Sequence, residues 1–205
     1  MTDERADRTV FDATDPEVNA YRLLTGLVVP RPIAWVSTVD AEGRGNLAPH
    51  SFFNVASGRP PVVLFSSLGR KDTVRNVEAT GEFVVSFSSE SLLHQINASS
   101  APFEHGDDEA AELDIATEPS ETVRPRRVAD SPASIECRLH SIVEVGHAFV
   151  VFGQVSAITV RSDALVDGLP SYERLRPVAR LGGNEWALPG VLYRIDRPRT
   201  PDEAR

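Results

Sequence analysis

The sequence predicts a mainly β domain with short helices, its strands forming a closed antiparallel barrel. Six or seven segments are rich in β-branched and aromatic residues, and only short helical stretches separate them. A parallel doubly wound sheet would need a longer helix after nearly every strand. With 205 residues, 41% of them hydrophobic and 25% charged, the chain is long and apolar enough for one full core, which leaves no room for wholesale disorder or a fibrous repeat.

Residues 1–20 are polar and acidic without a sustained period, and read as an extended arm leading into Tyr21-Arg22-Leu23-Leu24. Ile33-Ala34-Trp35-Val36-Ser37-Thr38-Val39 reads as a strand, Asp40 to Gly45 as a hairpin turn, and Asn46 to Asn54 as the returning strand. Pro60-Pro61-Val62-Val63-Leu64-Phe65-Ser66 carries its prolines at a strand entrance, where a missing N–H is tolerated. Asp72 as cap, Val74 and Val77 three apart, and Gly81 as terminator predict a helix over 72–80. Glu82 to Ser88 predicts a strand, and Ser89 to Ile96 a second short helix. From Glu104 to Glu121 there are eight acidic residues and no Lys or Arg. That stretch reads as a solvated excursion outside the core, with a helical segment near 108–113.

Ile135, Cys137 and Leu139 alternate with Glu136, Arg138 and His140, the period of a strand with one wet face. A further strand starts near His147 and runs to Val160, and its Gly153 suits a bulge or a sharp bend. Val191 to Ile195 reads as the last strand. The expected organisation is therefore an arm (1–20), one domain (21–196) and a disordered tail (197–205).

Charge and motif content exclude several functions. A net charge of -9 runs against a general nucleic-acid or acidic-membrane binder. The single cysteine, Cys137, cannot form an internal disulfide, and its place on the apolar phase of a strand predicts a buried, inert thiol. The N-terminus lacks the basic and apolar regions of a signal peptide, and no apolar run approaches ~18 residues. A cytoplasmic location is expected. His94, His105, His140 and His147 show no two-His metal spacing, so no metal is assigned. Gly-x-Ser-x-Gly, Walker A and Gly-x-Gly-x-x-Gly patterns are absent.

Three segments are candidates for chemistry. Asn46 to Asn54 mixes small residues, hydroxyls and amides with Phe52 and Phe53, able to present N–H groups and rings to a flat heterocycle, or else simply a strand end with core phenylalanines. Arg70-Lys71-Asp72-Thr73 places the chain's only lysine and a hydroxyl at a helix N-terminus, where a phosphate is attracted, or else forms a capped surface helix. Arg176 to Trp186, outside any clear strand, combines arginines, a glycine pair and a tryptophan. It is either a packed C-terminal loop or a backbone passing a cofactor, with Arg180 offering an anion site.

At these residues the chain resembles the flavin reductase-like family, whose members bind FMN or FAD on a split β-barrel and generally dimerise. The likeness rests on Arg31-Pro32-Ile33-Ala34-Trp35-Val36-Ser37-Thr38, the Asn46 to Asn54 run, Pro60 to Ser66, Lys71-Asp72-Thr73 with Asn76, and Gly81-Glu82-Phe83-Val84-Val85. Ser131-Pro132-Ala133, Glu136-Cys137-Arg138-Leu139 and Arg176 to Asn184 extend it, so that it covers roughly residues 20–195. The resemblance implies that Trp35 and Thr38 lie beside the flavin, that Ala48, Pro49, His50, Ser51, Phe52, Phe53 and Asn54 line its ring and phosphate, and that Lys71 and Thr73 hold the phosphate. Better-known short flavin reductases carry Thr-Ala-Asn-Ser where this chain has Ala48-Pro49-His50-Ser51, a departure that favours tightly bound FMN over FAD.

The implied activity is an FMN-dependent oxidoreductase acting as a homodimer: NADH or NADPH delivers hydride to flavin N5, and electrons pass onward to an acceptor that the sequence does not identify. The cofactor carries the chemistry, so no catalytic side chain is demanded. Two alternatives share the barrel: a flavin- or haem-binding module without turnover, and a pyridoxamine-phosphate-oxidase-type enzyme using oxygen and an amine.

Overall fold

The computed structural model describes residues 8–204. Most of the expected 1–20 arm is therefore visible, while residues 1–7 and 205 lie outside the described part. Helix α1 (Ala20–Leu27) is capped by Asn19, whose side chain accepts from the Arg22 amide. It is followed by β1 (Arg31–Pro32), β2 (Ala34–Val39), β3 (Gly45–His50), β4 (Phe53–Gly58), β5 (Pro61–Leu68), α2 (Asp72–Thr80) and β6 (Glu82–Phe87). A 3-10 turn at Glu90–Leu92 runs into α3 (Leu93–Ala98), and α4 (Glu109–Glu112) follows. Two short strands, β7 (Thr117–Glu118) and β8 (Arg127–Val128), pair with each other before the long hairpin β9 (Ala133–Val145) and β10 (Ala148–Val160). The chain continues through β11 (Leu165–Val166), β12 (Leu169–Pro170), α5 (Tyr172–Leu175), β13 (Ala179–Arg180) and β14 (Trp186–Ala187).

The main sheet is antiparallel with order β3-β2-β6-β9-β10-β5-β4, and β1, β13 and β14 form a small second sheet. It is not the closed barrel expected: its two edges are β3 and β4, and among the described residues no ladder joins them. The cause is a corner. Ser51 and Phe52 turn the chain out of β3, and the Phe52 carbonyl accepts from Ser66 N–H at 2.8 Å, so the single strand expected over 46–54 becomes two. Pro49 fits this position because β3 is an edge and needs no ladder donor there.

β2 is buried on both faces, and its alternation divides the apolar interior in two. Ala34 and Val36 face a cluster with Phe65, Phe83, Cys137, Val151 and the α2 residues Val74 and Val77. Ile33 and Trp35 face a second cluster with Leu47, Leu92, Ile96, Ala110, Val128 and Val178. Cys137 is fully buried and its thiol is pushed up to about 12 by that burial, as an inert core sulfur should be.

Gly81 ends α2 in the left-handed region, φ 72°, its N–H on the Val77 carbonyl, as the sequence predicts. Asp72 is not the cap. Lys71 holds that position, while the Asp72 carboxylate accepts from Gly106 N–H at 3.1 Å and contacts His105 Nδ1 at 2.6 Å. The acidic stretch is also closer to the core than expected, because Glu109 and Ala110 are buried behind the Asp108 cap of α4. Glu136, expected on a wet face, is fully buried under residues 121–122. Val191 to Ile195 form no strand: Pro189 and Gly190 lead the chain away after β14, and residues 191–204 are exposed, with one 3-10 turn at Asp202–Ala204. Among the described residues no helix is long and apolar enough to cross a membrane.

Gly153 sits at a register shift between β9 and β10, the bulge its sequence position suggests. A Cβ there would lie 2.2 Å from Phe83 Cζ and 2.9 Å from Cys137 Cβ. Gly153→Ala is expected to destabilise the fold by about 1 to 3 kcal/mol through overpacking, read as a lowered thermal midpoint. An unchanged midpoint would contradict this packing.

Candidate functional site

A cleft of about 560 Å³ opens where the β3–β4 corner, the end of β5, the N-terminus of α2 and residues 99–105 meet, a volume in the range of small-molecule sites. Ala48, Pro49, His50, Ser51 and Phe52 line it from the corner, Ser66, Ser67 and Leu68 from β5, and Lys71 and Thr73 from α2. Two segments distant in sequence, singled out separately, thus form one wall.

The α2 N-terminus is fixed against the cleft by a buried polar network. Asn46 Nδ2 donates to Thr73 Oγ1 at 3.2 Å and to Thr38 Oγ1 at 3.3 Å, and Asn76 Nδ2 donates to Thr38 Oγ1 at 3.1 Å. His50 Nε2 lies 3.4 Å from Thr73 Oγ1, and the ring packs on Phe65 with centroids 4.7 Å apart. Burial, and the charge of nearby Lys71, lower the imidazole to about 4 despite a bond with the Ser66 backbone. His50 is therefore a neutral wall at pH 7. Among the described residues Lys71 has no carboxylate partner, whereas Arg70 pairs with Glu78 and Arg75 with Asp72. A cation free of internal partners beside unpaired helix N–H groups is suited to an anion.

Several expected site residues sit elsewhere. Trp35 is fully buried behind the cleft, where its Nε1 donates to Ser99 Oγ at 2.9 Å and so anchors the loop over residues 99–105. Thr38 is the buried acceptor of the network above. Phe53 packs against the first core cluster, and Asn54 is exposed, its Oδ1 accepting from Val55 N–H. The β3–β4 corner explains the last two placements, since a turn at 51–52 swings residues 53 and 54 off the wall. Arg180 is not in a loop but in β13, opposite Arg31 of β1. Its guanidinium stacks 4.8 Å over Trp186 and donates to the Gly183 carbonyl at 2.7 Å.

The cleft also uses residues that sequence reasoning passed over. Ser99 to Phe103 form one side; small hydroxyl residues with a Pro and a Phe directly after a helix were the available signal. Glu109 is a second. Its Oε2 accepts from Leu47 N–H at 2.6 Å, and burial, with Asp108 and Asp72 close by, raises its carboxyl above the ordinary range.

Because the folded chain holds His50 near 4 while an unfolded imidazole titrates at about 6.5, the unfolded state takes up the proton first as pH falls. Stability should drop between those values, by up to about 1.4 kcal/mol per pH unit. Denaturant midpoints at pH 7 and 4.5 are expected to fall further for the wild type than for His50→Gln. Equal falls would show that the imidazole is not held neutral.

Comparison with known proteins agrees with this architecture. An uncharacterized protein of Aquifex aeolicus is 40% identical over 169 residues, 80% of this chain and 86% of that one. Nitrilotriacetate monooxygenase component B from Bacillus cereus superposes with a TM-score of 0.88 at 31% identity, covering 93% of this chain and all of the other. The 2-nitrobenzoate 2-nitroreductase NbaA of Pseudomonas fluorescens gives 0.85 at 29%, covering 93% and 97%. Residues 26–176 match the model of the flavin reductase like domain, and with that match over most of its length the chain belongs to the flavin reductase-like family.

Proposed function

We propose that the protein is an FMN-dependent oxidoreductase that takes hydride from NADH or NADPH and passes electrons to a small acceptor. The observation that carries this reading is the single cleft in which the Ala48 to Phe52 wall, with its hydroxyl and ring, meets Lys71 and the α2 N-terminus. A phosphorylated flat cofactor has complementary ends. Lys71 and the first amides of α2 would hold the phosphate; Ser51 and Ser66 offer hydroxyl donors, and Phe52 an apolar face. Bound FMN would supply the two-electron chemistry, which no side chain here provides. The protein's share is to orient the ring, present donors to its polar edge and exclude water. His50 in place of an amide, neutral and packed on Phe65, favours FMN over FAD. The redox names of the Bacillus cereus and Pseudomonas fluorescens proteins support the reaction class.

The strand order, with its edges consecutive in the chain and turned by the Ser51–Phe52 corner, supports a split barrel. Exposed Leu24 and Leu27 on α1, and Val191, Tyr193 and Ile195 after β14, support a homodimer that covers them. Sedimentation at micromolar concentration should give twice the chain mass.

The decisive experiment is the visible spectrum of the purified protein, expected to show the two bands of an oxidised flavin, followed by anaerobic addition of NADH and NADPH. Bleaching by either supports the reading. A flavin spectrum that neither donor bleaches would indicate a binding module, and bleaching by an amine alone an amine oxidase.

A further inference from the structure

Arg31 is only 7% exposed and has no carboxylate partner among the described residues. Its Nη1 donates to the Thr25 carbonyl at 2.5 Å and the Val28 carbonyl at 2.8 Å, at the C-terminal end of α1, and its Nη2 to the Leu181 carbonyl at 2.7 Å. Its Nε is buried with no partner. Three carbonyls orient the guanidinium but do not neutralise it, and a buried charge without a counter-charge is unfavourable. Arg180 stands opposite it across the β1–β13 ladder, also without a carboxylate partner among the described residues, and adds repulsion. Other described arginines without an acid partner, among them Arg22, Arg59, Arg126 and Arg174, are exposed to water, whereas Arg31 is buried and Arg180 half-buried beside it.

Arg31 borders the cleft, and Arg180 stands next to it on β13. The Phe52 ring, part of the cleft wall, lies 5.9 Å from Arg31 Cζ, and Tyr21, reaching the cleft from α1, interacts electrostatically with Arg31. Arg180 is held in place by Trp186 and Gly183, leaving its remaining N–H groups for an outside acceptor without further ordering.

We propose that the Arg31–Arg180 pair, with Tyr21 and Phe52, forms an oxyanion subsite beside the cleft, separate from Lys71, that receives the charged group of the second substrate. Arg180 makes the direct contact, and Arg31 supplies a fixed positive field from low-dielectric surroundings, where charge acts more strongly. The oxyanion is either the 2′-phosphate of a nicotinamide nucleotide or the carboxylate of an acidic acceptor. The inference deepens the oxidoreductase reading and rests on it only for the second substrate's role.

Calorimetric titration of the purified protein with benzoate against benzamide, and with adenosine 2′-phosphate against adenosine, separates the two sources. At least one anion should bind at least tenfold more tightly than its neutral counterpart, and Arg180→Gln should reduce that preference to about twofold or less. Arg180→Lys, which keeps the charge, should restore part of it, and FMN affinity by fluorescence quenching should be unchanged in both variants. Neutral and anionic probes binding alike, or a preference that survives Arg180→Gln, would overturn the subsite. Loss of FMN affinity in step with anion affinity would overturn it too, by placing Arg180 in the cofactor site. Anion binding in a protein that takes no flavin would keep the subsite and remove the flavin reading.

Discussion

Lys71→Ala is expected to weaken FMN by about 10- to 100-fold while changing riboflavin affinity by no more than about threefold. The range follows from a charge-assisted hydrogen bond, about 1.5 to 3 kcal/mol. The selectivity follows from position. Lys71 precedes the first turn of α2, beside His50 and Thr73, and among the described residues no carboxylate competes for it. Riboflavin shares the ring but lacks the phosphate, so it reports on the rest of the wall. Lys71→Arg should recover part of the loss, because a planar fork cannot occupy the place of a compact ammonium without rearrangement. Fluorescence-quenching titrations with both ligands measure this. Equal loss for FMN and riboflavin would mean that Lys71 shapes the cleft and does not hold the phosphate.

Elements governed by local chemistry were legible in the sequence. Helix α2 and its Gly81 terminator, the β9–β10 hairpin and the Gly153 bulge all appear where residue type and period place them. What failed was set by contacts between distant segments. Nothing in Val191 to Ile195 distinguishes a strand from an exposed apolar segment, because that depends on whether a sheet edge lies beside it, and here none does. Ser51 and Phe52 carry no Gly or Asn to announce a corner; the turn is stabilised instead by the Phe52 to Ser66 hydrogen bond across to β5.

The site was legible in proportion. Ala48 to Phe52, Lys71 and Thr73 reach one cleft, but Trp35 and Thr38 sit one layer behind it. Both still bear on the cleft: Trp35 anchors Ser99, and Thr38 accepts from the asparagines that hold α2. Resemblance identifies residues near a site, yet whether a β2 side chain reaches the cavity or supports it depends on which face the helices cover.

Glu136→Ala is expected to be among the most destabilising single changes in the chain, about 3 to 5 kcal/mol. Sequence alternation assigns this carboxylate to a solvated face, but residues 121–122 fold over it and leave it fully buried. One oxygen accepts from Glu121 N–H at 2.8 Å; the other accepts from Thr122 N–H at 2.6 Å and Thr122 Oγ1 at 2.7 Å, while Arg127 lies 3.8 Å away. Burial raises the carboxyl, but these donors and the Arg127 charge outweigh it and hold the group below the usual range. The ionised form therefore stabilises the fold near neutral pH, and that contribution is lost as pH falls through the lowered value. Removing the side chain leaves two amides without their acceptor and the Thr122 hydroxyl with only Ser156, while Arg127 keeps Glu118 and Glu121. Glu136→Gln keeps one accepting oxygen but turns an NH2 toward an N–H donor, so a smaller loss is expected. Thermal melts at pH 7 should rank wild type above Glu136→Gln above Glu136→Ala, and trypsin should cut faster at Arg126 and Arg127 in the alanine variant. Melting of Glu136→Ala within about 2 °C of wild type, where 1 kcal/mol shifts a chain of this size by about 2 to 4 °C, would show that the loop over residues 119–126 is held instead by Arg124 on Glu82 and by Arg138 on the Thr122 carbonyl.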